Sequence, residues 1–203
     1  RGVYSFCMCP GGYVVNASSE DKRLVVNGMS NYKRDGENAN SALVVTVSSK
    51  DYGEGVLDGV EFQRKLEEAA YSIGNGFIPI QLYGDYKNNK ISTSVGFITP
   101  SVMGKYSFGN LNDIFSEEIN TSLKEGIEYF STKIKNYNRE DAILLGVESR
   151  TSSPVIIERN EEFVSSVSGI YPCGEGAGYA GGITTASIDG IKVFESIISR
   201  YRN

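Results

Sequence analysis

Apolar and polar positions alternate in short extended runs near the start of the chain, at helical spacing in its middle, and again at helical spacing at its end. Residues 3–16 are rich in β-branched and aromatic side chains and read as extended, interrupted by a turn at Pro10-Gly11-Gly12. Leu24-Val25-Val26 predicts another short strand. Residues 31–40 are polar and predict a loop, whereas 42–47 form a continuous apolar run and predict a buried strand. Phe62, Leu66, Ala69, Ala70 and Ile73 fall on one stripe and predict a helix over 60–73, with Asp58 as N-cap and Gly74 just past its end. Residues 74–110 show little periodicity and predict loops with one short strand near 94–98. A second stripe of Ile119, Leu123, Ile127, Phe130 and Ile134 predicts a helix over 116–133. Ser116 caps it, and Glu117 and Glu118 suit its positive end. Strands are expected at 142–147, 155–157 and 169–171, and a last helix at 183–201. The class is α+β, with a mixed sheet and two main helices before a C-terminal strand, loop and helix.

Composition narrows the chemistry more than the fold. The chain has 203 residues, 40% hydrophobic and 22% charged, enough to bury a sizeable core. A net charge of −5 with scattered basic residues argues against a nucleic-acid partner. No apolar run reaches the ~18–20 residues of a membrane-spanning helix. There is no histidine, which excludes Ser/His/Asp and Cys/His nucleophiles and His-ligated metals within this chain. Three cysteines do not make a paired extracellular framework, so a reducing, cytoplasmic setting is expected. The sequence opens on Arg1 rather than Met and runs straight into a strand, which reads as a piece cut from a longer protein.

Cys173 to Gly182 hold five glycines in ten residues, at 174, 176, 178, 181 and 182, between an expected strand and a helix. Glycine lets a backbone approach a flat or charged ligand, and a helix N-terminus offers unpaired N–H groups at a positive dipole end. Gly176-x-Gly178-x-x-Gly181 matches the bare dinucleotide spacing, but no acidic residue follows on a next strand. The segment resembles instead the second, C-terminal flavin motif of the two-domain flavoprotein oxidoreductases. That resemblance implies that Glu175, in the place of the usual Asp, holds the ribityl chain of FAD. It also implies that Gly181, Gly182 and Ile183 set backbone against the pyrimidine edge of the flavin, with Gly174, Gly176, Ala177, Gly178 and Tyr179 shaping the loop. Pro172 stands where a small residue is commoner.

Three segments occur in order: Ser5-Phe6-Cys7-Met8-Cys9-Pro10-Gly11-Gly12, Glu148-Ser149-Arg150-Thr151-Ser152-Ser153-Pro154, and residues 172–182. Together they resemble a bacterial family of uncharacterised FAD-dependent, NAD/FAD-utilising dehydrogenases, over essentially the whole chain. The resemblance implies a substrate-side domain over 1–166 and, over 167–203, the last strand and helix of a Rossmann-like FAD domain. The N-terminal dinucleotide-binding half would then lie outside this chain and be its partner. The function implied is hydride transfer through FAD to or from a small molecule, with NAD(P) a candidate electron partner. The chain alone is expected to bind FAD weakly or not at all.

Arg150 is a candidate clamp for a substrate carboxylate or a counter-charge to reduced flavin. Cys7 and Cys9 are candidate redox thiols, although a Cys-x-Cys disulfide closes a strained ring. Tyr4, Tyr171 and Tyr179 are candidates to stack on or hydrogen-bond the ring system. Packing roles fit all of these residues too. Two other readings of the whole remain: a non-enzymatic module using the glycine loop as an anion site, and a thiol redox protein using Cys7 and Cys9.

Overall fold

The computed structural model describes residues 1–201. In chain order the elements are β1 (Val3–Cys9), β2 (Gly12–Asn16), β3 (Val26–Ser30), β4 (Asn40–Val45), α1 (Ser49–Tyr52), α2 (Asp58–Ile73), β5 (Ile78–Leu82), α3 (Tyr83–Lys87), β6 (Val102–Met103), β7 (Tyr106–Phe108), α4 (Glu117–Ser131), β8 (Ile143–Leu145) and α5 (Ile183–Tyr201), with a 3₁₀ turn at Leu111–Asp113. The class is α+β. Two compact units are present: residues 1–48 with 63–149, and residues 49–62 with those from 150 onward. The division falls inside α2, after Phe62.

The first unit holds three small sheets rather than one. β1 pairs antiparallel with β4, Phe6 opposite Ala42 and Cys9 opposite Asn40. One extra residue on β1 between those pairs makes a bulge, and Cys7 there takes φ 45°. β2 lies between antiparallel β3 and parallel β6. β5 lies between parallel β7 and antiparallel β8. β5 is the innermost strand, with Ile78, Pro79, Ile80 and Gln81 all buried. Around it pack Leu24, Val26, Ala70, Tyr83, Tyr86, Leu111, Ile114, Ile127 and Val147.

Gln81, Tyr86, Asn120 and Glu67 bury polar groups in this core against partners. Gln81 donates to the Lys90 carbonyl at 2.6 Å and accepts from the Leu111 N–H at 2.8 Å. Tyr86 donates to Asn120 Oδ1 at 2.7 Å, and Asn120 Nδ2 donates to the carbonyls of Asn112 (2.8 Å) and Phe115 (3.1 Å). Glu67 is fully buried on α2 and accepts from the Ser149 hydroxyl at 2.7 Å.

Several expected elements moved. The strand expected at 24–26 begins only at Val26, because Leu24 and Val25 bond outside the sheet, to Glu67 O and from Ala17 N. Residues 94–98 form no strand, and β5, β6 and β7 occupy the stretch expected to be mostly loop. α2 ends with positive φ at Asn75 and Gly76 rather than at Gly74. Residues 155–157 and 169–171 form no strand, since no described segment of the second unit offers a strand to pair with. α4 follows its expected course, Ser116 Oγ accepting from the Ile119 N–H at 3.4 Å.

Candidate functional site

The second unit has few regular elements, so its shape rests on loop hydrogen bonds. After Arg150 the chain runs as coil past Ser153, Pro154 and Val155 to Arg159, and residues 172–179 fold back against that coil. Ser153 Oγ donates to the carbonyl of Gly176 at 3.1 Å. The Ile157 N–H donates to Ala177 O at 3.1 Å, and Tyr179 Oη donates to Ile157 O at 3.1 Å. Gly178 (φ 84°) lies so close to the backbone of Val155 and Ile156 that a Cβ would fall 2.6 Å from Val155 O. Two of the three sequence segments that carried the resemblance, the one ending at Pro154 and the glycine loop, therefore meet here.

The loop is fastened to α5 by a charge pair that sequence reasoning missed. Arg159 forms a bidentate bond with Asp189, at 2.9 and 2.6 Å. The same guanidinium donates to Pro172 O at 2.7 Å, while Asp189 accepts from the Gly174 N–H at 2.8 Å. The guanidinium carbon stands 3.6 Å from the centroid of the Tyr179 ring and 4.6 Å from that of Phe163. The side chains of Arg159 and Asp189 are only 9% and 12% exposed. The hydrogen bonds from Arg159 hold the Asp189 carboxyl below the usual carboxylate range, and the Gly174 N–H adds to this. The one sequence signal was Asp189-Gly190 inside a helical run, where both residues are poor helix formers.

The outer side of the loop is bare. A Cβ at Gly176 or Gly181 would meet nothing within 4 Å, and one at Gly182 would meet only Thr185 Oγ1, at 3.8 Å. α5 starts directly after Gly182, so its first-turn N–H groups have no intrahelical acceptor. The Glu175 side chain is half-buried. The Tyr171 hydroxyl is buried and has no hydrogen-bond partner among the described residues. Tyr179 has one ring face against Arg159 and its hydroxyl engaged, so it serves the loop's own structure first.

Arg150 is exposed at the start of the second unit. Cys7 and Cys9 sit at the β1 bulge of the first unit, where the Cys9 thiol is 3.5 Å from the Cys7 carbonyl. Cys7, Cys9 and Cys173 form no disulfide. Tyr4 is exposed on β1.

A family described as FAD-dependent protein, C-terminal domain-like, matches residues 1–151. The chain belongs to this family. It is also similar to an uncharacterised protein of Clostridium beijerinckii, 54% identical over 205 residues. That alignment covers 99% of this chain and 38% of the relative, so the chain spans well under half the relative's length. The family match stops close to the boundary at Ser149 and leaves the glycine loop and α5 outside it. No described helix is long and apolar enough to cross a membrane.

The residues of the loop fit the ring side of an FAD. Bare glycine backbone suits close approach by a flat ring, and the first-turn N–H groups of α5 suit the electron-rich pyrimidine edge. The Glu175 carboxylate suits ribityl hydroxyls. The orphaned Tyr171 hydroxyl is a further polar group for which the described residues supply no partner.

Proposed function

We propose that this chain is the C-terminal part of an FAD-dependent oxidoreductase, a dehydrogenase whose flavin ring lies against residues 174–183. Bound there, FAD would carry a hydride equivalent between a small-molecule substrate and an electron partner such as NAD(P). The observation that carries the reading is the bare glycine backbone at Gly176, Gly181 and Gly182 leading into the N-terminus of α5. Glu175 would hold the ribityl chain, and the N–H groups of Gly182 and Ile183 would favour negative charge on the ring.

Residues 1–166 are assigned to the substrate side. Arg150 would hold a substrate carboxylate, and Cys7 and Cys9 would act as redox thiols. Residues 167–203 are assigned to the FAD-binding domain, with the rest of a longer polypeptide as partner and a reducing, cytoplasmic setting. Two features support that partner. Among the described residues, the segment 169–171 has no strand to pair with. α5 exposes Ile183, Ile191, Phe194 and Tyr201, a helical stripe that the described residues leave uncovered.

The test is the visible spectrum of the full-length protein. Flavin bands near ~450 nm are expected, and Glu175→Gln should weaken FAD binding. A folded full-length protein that shows no such bands even with added FAD would sink the proposal. Tight FAD binding by residues 1–203 alone would overturn the assignment of the missing half.

A further inference from the structure

Arg159 and Asp189 neutralise each other with side chains only 9% and 12% exposed. Each also grips the glycine loop: Arg159 through Pro172 O, and Asp189 through the Gly174 N–H. These two contacts fix the backbone on both sides of Cys173, at the entry to the loop. The rings of Tyr179 and Phe163 lie 3.6 and 4.6 Å from the guanidinium carbon and pack against the cation. The pair is thus both a mechanical anchor and a fixed dipole beneath the loop. A surface ion pair does not have this character, because solvent would screen it.

We propose that Arg159 and Asp189 are a positioning pair that fixes the glycine loop for its ligand and sets the charge the ligand's ring experiences. The proposal rests on the flavin reading above. A balanced pair presents nearly no net charge to a ring on the far side of the loop. Cutting one charge and keeping the shape unbalances it. Asp189→Asn leaves the Arg159 cation uncompensated, so the anionic reduced flavin gains relative to the neutral oxidised one. Arg159→Gln leaves the Asp189 anion uncompensated and does the opposite. Arg159→Lys keeps the charge but loses the bidentate bond and the ring stacking.

The experiment is a redox titration of the full-length holoprotein, with dithionite supplying two electrons and solvent one proton per flavin. The affinity of the three variants for FAD is measured alongside. Asp189→Asn should raise the ratio of reduced to oxidised affinity by about tenfold, which is about 30 mV upward for a two-electron couple. Arg159→Gln should move it downward by a similar factor. Arg159→Lys should bind FAD at least about tenfold more weakly at nearly unchanged potential. A purely structural pair would weaken both redox forms alike, with no shift of opposite sign, and that result overturns the inference while leaving the flavin reading intact. If Arg159→Gln does not fold, the sign of the Asp189→Asn shift decides. A wild-type protein without FAD would overturn the flavin reading and this inference together. A flavin-independent readout is amide exchange of the 172–182 segment in Asp189→Ala, which should speed up at Gly174 by about tenfold. Unchanged exchange there would overturn the positioning role.

Discussion

Asn120→Asp changes one atom type and should destabilise the first unit far more than its size suggests. Asn120 sits on α4, 6% exposed, and its Nδ2 donates to two backbone carbonyls, at 2.8 and 3.1 Å, while Oδ1 accepts from Tyr86 at 2.7 Å. The substitution keeps the acceptor for Tyr86 and turns the double donor into an oxygen. Both carbonyls then lose their partner, at about 1–1.5 kcal/mol each. They also face an ionised carboxylate whose burial costs several kcal/mol. A loss of about 4 kcal/mol or more at pH 7 is expected. The new carboxyl's folded-state pKa would lie above its unfolded value of ~3.9, because burial and two carbonyls oppose ionisation. The penalty is therefore complete above the folded value and shrinks as pH falls towards ~3.9, where the protonated group can donate to one carbonyl. Urea unfolding followed by far-UV circular dichroism at pH 7 and near pH 4 measures this. Tyr86→Phe is the control: it removes one hydrogen bond at about 1–2 kcal/mol, with no pH dependence from a new acid. A loss under 1 kcal/mol for Asn120→Asp at pH 7, or one that does not shrink on acidification, would refute the reasoning.

Other perturbations probe the same unit. Ile80→Ala, at a fully buried position of the innermost strand, should cost about 2–5 kcal/mol by urea unfolding. Ser116→Ala removes the α4 cap and should cost about 0.5–2 kcal/mol in the same assay. The hydrogen bonds from Lys87, Tyr83 and Asn138 hold Glu128 well down, at about 2. Its contribution is present above the unfolded value of 4.5 and lost as pH falls towards 2. Because the side chain is 39% exposed, solvent screening limits that contribution to about 1 kcal/mol. Glu128→Gln should therefore flatten the acid limb of stability between pH 5 and 2, and an unchanged slope would count against the assignment.

Helices with a clean apolar stripe, α2 and α4, were legible in the sequence, and α5 occupies the residues where a last helix was expected. β5 was not, for a physical reason. Pro79 lacks an N–H and argues against a central strand, yet its carbonyl still accepts from Gly146 at 3.2 Å, and its neighbours pair on both sides. Gln81 hid the same strand, because a polar residue in an apolar run looks like a loop until its three partners are seen. The expected strands at 155–157 and 169–171 failed differently. A strand depends on its neighbour, and a single sequence does not reveal whether one is present. For the site, both loops were visible as glycine and polar segments, and the structure joins them. The contact that fastens the glycine loop to α5, Arg159 with Asp189, spans thirty residues and has no local period to betray it.

Asp189 and Gly190 inside α5 show why that pair is more than a stabilising contact. Asp costs a helix interior up to about 0.7 kcal/mol and Gly about 1 kcal/mol relative to Ala. A buried ion pair often does no better than apolar residues of the same volume, while losing one partner costs about 3–5 kcal/mol. Local propensity and net stability therefore both argue for an apolar residue at 189. What the carboxylate adds is direction: it accepts from Arg159 and from the Gly174 N–H at once, which no apolar side chain can do. Asp189 and buried Val193 lie four residues apart on one face of α5, and that face holds the loop. Ile183, Ile191 and Phe194 line another, uncovered face. One helix thus fixes the glycine backbone with its polar side, while its apolar side is left uncovered by the described residues. A loop positioned in this way, before any ligand arrives, loses little freedom on binding.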